Sequence, residues 1–246
     1  FFFSFSFPLL IMNKLVSVVI PALNEAKNIR QCLRSVKEQS YSGSFEIIVC
    51  DGFSKDDTAK LAKKEGCRVV FERRHTIAAG RQTGAKAANG DILVFCDADG
   101  IAEKTWLAAL VKPFEDGRVV STHGNLFMSD ANAFDEFFCR IIFPLYFRLL
   151  NALGVPSGAG SNLAVRTKAF RKIGGFDTSL VTGEDLMLQK KLRPFGKIVF
   201  VPSAKVRVSK RRVLKWGYLG FASFHISNWM RVALGGKPKE DYEQVR

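Results

Sequence analysis

Asp97 and Asp99 stand one residue apart at the end of an apolar run, Asp91-Ile-Leu-Val-Phe-Cys-Asp97-Ala98-Asp99-Gly100. Side chains alternate along a strand, so both carboxylates can leave a strand end on one face. Converging carboxylates suit a hard divalent cation, which takes oxygen ligands and keeps positions open for substrate phosphates. Taken alone, the same residues fit a solvated acidic turn. A second acidic pair, Glu184-Asp185, follows Gly183 and precedes Leu186, Met187 and Leu188, which places it at a helix N-terminus. Acids there complement the helix dipole.

Alternating strands and helices must position these groups. Val16 to Ile20 reads as a buried strand, and Ile29, Cys32, Leu33 and Val36 have helical spacing after a loop at Pro21 to Glu25. Asn24 and Glu25 fit an N-cap and a first-turn acid for that helix. Phe45 to Cys50 is a second strand, followed by Asp51-Gly52 and a helix that Asp56 or Asp57 could cap. Arg68 to Phe71 is a third, and a helix from about Thr76 to Ala88 leads into the strand Asp91 to Cys96. This order implies a mainly parallel central sheet flanked by helices, with ligands beyond the carboxyl ends of the strands. The loops at Pro21, Asp51 and Asp97 all lie there. Further on, Lys104 to Glu115 reads as helix and Arg118 to Thr122 as strand. Phe134 to Leu153 is an aromatic-rich segment broken by Arg140, Pro144 and Arg148, which fits both an interfacial helix and one packed on the core. A glycine-rich loop, Gly154 to Gly160, precedes Ser161 to Arg166.

The composition, 47% hydrophobic and 24% charged, is that of a globular protein, with one α/β domain expected. A net charge of +14, with lysine and arginine dominating the last third, fits a phosphate-bearing ligand or an anionic membrane surface. No nucleic-acid-binding signature is present. Cys32, Cys50, Cys67, Cys96 and Cys139 form no close pair and read as buried thiols in a reducing compartment. His75, His123 and His225 lack zinc spacing and read as structural. Residues 1–12 are expected to be a non-native or disordered leader that ends on Met12, the expected natural start, with 13–216 the catalytic domain and 217–246 a helical, membrane-associated tail.

Four stretches in order resemble the inverting family-2 glycosyltransferases of GT-A fold: Val18-Val-Ile-Pro21-Ala-Leu-Asn24-Glu25, Val49-Cys-Asp51-Gly-Phe-Ser54-Lys-Asp56-Asp-Thr58, Asp97-Ala98-Asp99 and Gly183-Glu184-Asp185. The resemblance spans about Leu15 to Trp216. It implies sugar transfer from a nucleotide-diphosphate sugar to an acceptor hydroxyl. It places Pro21, Asn24 and Glu25 against the base and ribose, Asp51 on the base, and Arg81 on the nucleotide from its helix. It makes Asp99 the direct ligand of Mg²⁺ or Mn²⁺, with Asp97 on the ribose or supporting the metal through water, and Ala98 between them in the donor site. It makes Asp185 the catalytic base, with Glu184 beside it; a carboxylate in reach of the acceptor hydroxyl takes its proton as oxygen attacks the anomeric carbon. Arg212-X-X-Lys215-Trp216 is similar to a diphosphate-side element of processive members, from which it departs at two positions, and with Arg211 it forms a basic cluster suited to a diphosphate.

The expected partners are therefore a nucleotide-sugar donor and a glycan or lipid-linked acceptor, at the cytoplasmic face of a membrane by peripheral contact. A sugar-phosphate nucleotidyltransferase is the alternative enzyme, but it calls for a glycine-rich phosphate loop after the first strand, where this chain has Pro21-Ala-Leu-Asn-Glu. A non-catalytic nucleotide-sugar or membrane-binding module has no need of Asp185.

Overall fold

Successive apolar residues on the strands send side chains to both faces of one sheet, and helices cover each face. The computed structural model describes residues 14–155 and 157–239. The leader read at 1–12 lies outside the described residues. The strands are β1 (Val16–Ala22), β2 (Phe45–Asp51), β3 (Arg68–Phe71), β4 (Ile92–Cys96), β5 (Ile101–Ala102), β6 (Val119–Met128), β7 (Asn162–Arg166) and β8 (Lys197–Val208). The α-helices are α1 (Ile29–Lys37), α2 (Thr58–Lys64), α3 (Ile77–Ala87), α4 (Trp106–Val111), α5 (Ala133–Phe137), α6 (Phe143–Ala152), α7 (Thr167–Lys172), α8 (Glu184–Leu192) and α9 (Arg211–Ala233).

The sheet runs β3-β2-β1-β4-β7-β6-β8-β5. The first four strands are mutually parallel, and the order reverses between β1 and β4, which leaves a crevice at their carboxyl ends. The second half is mixed: β7 runs antiparallel to both β4 and β6, while β6 and β8 are parallel. The parallel arrangement expected from the sequence thus holds for the half that carries Pro21, Asp51 and Asp97. The strand expected over Arg118 to Thr122 continues to Met128, because polar residues such as Thr122, His123 and Asn125 are buried beneath its helices.

On one face Val16, Val18, Ile20, Ile92 and Val94 pack with α1 and α4; on the other Val19, Leu93 and Phe95 pack with α3, α7 and α8. Burial on both faces explains the unbroken apolar runs of β1 and β4. Phe134 to Leu153 becomes α5, a π-helical turn over Phe138–Ile142, and α6. Asp135, Cys139, Pro144 and Leu150 face inward, and large apolar side chains remain on the opposite side. Among the described residues no helix is long and apolar enough to cross a membrane.

Neither Asn24 nor Glu25 caps α1. Asn28 holds the N-cap, after a turn in which the Asn28 and Ile29 amides donate to the Glu25 carbonyl. For α2, Asp57 holds the cap position without a side-chain bond, and Asp56 takes the Thr58 amide at 3.0 Å instead.

Candidate active site

The loops after β1 and β2 are stitched to each other. The Asn24 amide donates to Ser54 Oγ (2.8 Å), the Lys55 amide to Asn24 Oδ1 (2.7 Å), and the Glu25 amide to Thr58 Oγ1 (2.8 Å). Asn24 takes a left-handed backbone (φ 54°), which asparagine tolerates. Asp51 is buried, and its carboxylate accepts the amide and hydroxyl of Ser54 at 2.8 and 2.6 Å. These bonds fix the rim of a pocket. Its wall includes Pro21, Glu25, Gly52, Asp97, Ala98, Asp99, Arg211 and Arg212, together with Glu72, His75 and Thr76 from the loop after β3 and Ile77 at the start of α3.

Two guanidinium groups organise the acids. Arg81, on α3 and buried, donates from Nη2 to Asp97 (2.6 Å) and from Nη1 to Glu184. Asp97, Glu184 and Asp185 all act on it electrostatically and hold its charge firmly in place against burial. Glu184, wholly enclosed, is pushed up by burial and by the neighbouring Asp185 charge, with Arg81 opposing. Arg211, at the start of α9, donates to Glu25 Oε1 (2.8 Å) and lies 3.2 Å from Asp99 Oδ2. Burial, then the Asp97 charge, raises the Asp99 carboxyl to about 6, with Arg211 opposing.

Gly183, in a left-handed conformation (φ 65°), turns the chain into α8 and sets Glu184 and Asp185 in its first turn. Asp185 Oδ2 accepts the Gly160 amide at 2.8 Å, and Oδ1 accepts the Leu186 amide at 2.8 Å. Gly160 itself lies against Arg81: a Cβ there would stand 2.1 Å from Nη1. The glycine-rich loop is short of side chains where it crosses this guanidinium.

The structure thus brings Asp97, Asp99, Glu184 and Asp185 into one connected set. Pro21, Glu25, Ala98, Arg211 and Arg212 line the pocket. Asn24, Asp51, Arg81 and Trp216 are not on its wall; the first two brace the rim, Arg81 ties Asp97 to Glu184, and Trp216 packs on Phe224 at 5.3 Å. Sequence reasoning passed over Glu72 and read His75 as structural. Glu72 accepts the His75 amide at 2.9 Å and so shapes the pocket loop, where His75 has φ 57°. The rule that put Pro21, Asp51 and Asp97 at strand ends applies equally to β3 and would have found them. His225 of α9, also read as structural, lies within electrostatic reach of Asp185. Cys50 is on the pocket wall, but burial and then Glu72 push its thiol up to about 12, which leaves it no nucleophile.

The donor set fits a divalent cation. Its groups are hard carboxylate oxygens, whose negative charge at Glu25 and Asp99 a cation would share with the Arg211 guanidinium. Among the described residues no three potential ligands converge on one point, so the protein would supply one or two oxygens and a phosphorylated ligand the rest.

The sequence profile described as Glycosyl transferase family 2 matches residues 17–174. Glycosyltransferase AglE of Haloferax volcanii is 26% identical over 234 residues, covering 82% of this chain and 74% of that protein. Succinoglycan biosynthesis protein ExoA of Rhizobium meliloti is 25% identical over 238 residues, 87% of this chain and 70% of its own length. Among solved structures, mannosyltransferase PcManGT from Pyrobaculum calidifontis, in complex with GDP-Man and Mn²⁺, superposes with a TM-score of 0.72 at 22% identity. That match covers 92% of this chain and 66% of the mannosyltransferase chain. Glucosyl-3-phosphoglycerate synthase from Mycobacterium tuberculosis, with Mn²⁺ and UDP, gives 0.60 at 22% identity over 92% of this chain and 81% of that one. At such identities the structural likeness establishes a shared GT-A fold.

Proposed function

We propose that this chain, which belongs to glycosyl transferase family 2 and has the GT-A fold, transfers a sugar from a nucleotide-diphosphate sugar to an acceptor hydroxyl with inversion at the anomeric carbon. The observation that carries this reading is the Arg81 bridge, which joins the Asp97 end of β4 to the Glu184-Asp185 turn of α8 and so faces a strand-end acid pair with a potential base.

In this reading the nucleotide lies along the rim built by Pro21, Glu25 and Gly52, and Arg211 and Arg212 face its diphosphate. Asp99, with Asp97 behind it, would hold Mg²⁺ or Mn²⁺, which when bound supplies Lewis-acid neutralisation of the leaving diphosphate. Asp185 takes the acceptor proton. The Gly160 and Leu186 amides aim its carboxylate by occupying one lone pair on each oxygen. Displacement from the face opposite the diphosphate then inverts the configuration. The acceptor is a glycan or lipid-linked molecule met at the cytoplasmic face of a membrane. Residues 13–216 carry the chemistry; the 217–246 tail begins at Gly217, where φ 70° kinks α9.

A panel of nucleotide-sugars screened by thermal unfolding with Mn²⁺ tests this. A ligand at about 100 times its dissociation constant adds about 2.7 kcal/mol to a folded protein. One or more donors should raise the melting temperature of the wild type and lose that effect in Asp99→Ala. A panel without any Mn²⁺-dependent shift overturns the reading.

A further inference from the structure

The outward side of the segment 133–153 carries Phe134, Phe137, Ile141, Leu145 and Leu149, each 47–58% exposed. Four of them follow one another at a strict spacing of four. Such a spacing creeps around a 3.6-residue helix, and the wider π turn over Phe138–Ile142 sets the creep back, so the side chains keep to one line. The band continues onto α9. The Tyr218 hydroxyl donates to Asp135 at 2.7 Å, its ring meets Phe134 edge-on at 5.4 Å, and the adjacent Leu219 is 87% exposed. Lys210 lies 3.4 Å from the same Asp135, and its neighbour Arg211 is the residue that reaches Glu25 and Asp99. The apolar band therefore starts beside the pocket.

We propose that this band is a membrane-contact surface that seats the enzyme on a leaflet of anionic phospholipid; the proposal rests on the lipid-linked acceptor and peripheral contact given above and names the surface that makes the contact. Charge selects lipid over a second protein. Arg140 and Arg148 stand exposed along the band and Lys215 stands exposed beside it on α9. Arg140 keeps its side chain 62% exposed although it pairs with Glu136. No acidic residue occurs between Asp185 and Glu240, so α9 meets the surface with positive charge only. Long apolar side chains flanked by arginine and lysine are what an interfacial helix presents, the stems lying in the acyl boundary and the charges at the headgroups. Lying in the plane of the leaflet also requires no spanning helix. An amphiphilic acceptor would then arrive laterally, with its polar end level with the pocket mouth.

Co-sedimentation of the full chain with vesicles of phosphatidylglycerol and phosphatidylcholine is the test. Wild type should pellet with mixed vesicles, less with phosphatidylcholine alone, and less again as salt is raised. The double substitution Leu145→Glu and Leu149→Glu should lower the bound fraction roughly tenfold or more, and Arg148→Glu should remove the preference for anionic lipid. Both variants should keep the Mn²⁺-dependent thermal shift given by the donor, which separates failure of the surface from failure of the transferase reading. Vesicle binding absent in wild type, or undiminished in the double variant, overturns the proposal. So does a wild-type dimer that the double variant dissociates without any vesicle binding, because a second copy would then be the occupant.

Discussion

Arg211 lies 3.2 Å from the Asp99 carboxylate while donating to Glu25 at 2.8 Å, so the N-terminus of α9 is pinned across the pocket by its own positive charge. A divalent cation on Asp99 and the guanidinium of Arg211 draw on the same negative charge. Once a diphosphate is present, both cations gain an anion between them, and the competition becomes a shared clamp.

Arg211→Ala should therefore shift two affinities in opposite directions. Mn²⁺ alone should bind a few-fold more tightly, on the order of 1 kcal/mol for removing a partly exposed competitor, whereas nucleoside diphosphate in the presence of Mn²⁺ should bind more weakly. Titration calorimetry reads both. Equal weakening of the two would mean that Arg211 only holds α9 in place.

The pH dependence of cation binding follows from Asp99. Burial, then Asp97, raises its carboxyl to about 6 in the folded protein, above its ordinary unfolded range. Protonation therefore stabilises the metal-free protein, and that contribution fades as pH rises through about 6. A cation needs the ionised form, so its apparent affinity should be level above that pH and fall toward tenfold per unit below it. Mn²⁺ titrations across this range should show the break, and in Asp99→Asn they should not. A break that persists in Asp99→Asn belongs to another group.

Much of this was legible in the sequence because local pattern and tertiary outcome agreed. Short apolar runs marked β1, β2 and β4, and the three loops at their ends marked the crevice. What sequence could not show was how pairs form across distance. Arg81 was read as a residue reaching the nucleotide, and its type fits that role equally well. Only the packing of α3 over β1, β2 and β3, from which Arg81 reaches the end of β4 and the first turn of α8, reveals that its two arms are taken by Asp97 and Glu184. Likewise Asn24 and Glu25 have the composition of a helix start, yet the turn at Asn28 delays α1 because Asn24 is drawn into the loop of Ser54 and Lys55. The reversal of β7 has no local signature, since one strand reads the same in either direction.

Arg81 gives the largest expected stability effect. Arg81→Met keeps much of the volume but leaves Glu184 enclosed beside Asp185 without its cation; breaking a buried pair in this way costs about 3–5 kcal/mol. Arg81→Lys keeps the charge but not the fork that reaches two carboxylates at once, and should fall between. Chemical denaturation measures both. A loss below about 1 kcal/mol in Arg81→Met would show that the bridge contributes little.

Asp185→Asn separates chemistry from binding. Asparagine retains one oxygen for the Gly160 amide but has no basic lone pair for the acceptor proton. Turnover should drop about 10²–10⁴-fold, with donor affinity and melting temperature close to wild type. A comparable loss of donor affinity would place Asp185 in the donor site rather than at the acceptor.

His123 makes a prediction independent of the reaction. Its ring is fully buried between Phe147 and Phe200, each 5.2 Å away, with Ser157 Oγ 3.3 Å from Nε2. Burial depresses its pKa to about 3, with Asn151 opposing weakly. The unfolded chain takes up a proton near pH 6.5 while the folded one stays neutral. The stabilisation is therefore complete above that pH and is lost as pH falls toward 3, at up to about 1.4 kcal/mol per unit. His123→Leu removes the titrating ring and leaves Ser157 bonded to Asn151 at 3.1 Å. It should cost some stability near neutral pH through imperfect packing, yet narrow the gap in melting temperature between about pH 8 and about pH 5. An unchanged gap would assign the acid sensitivity of the fold to its carboxylates.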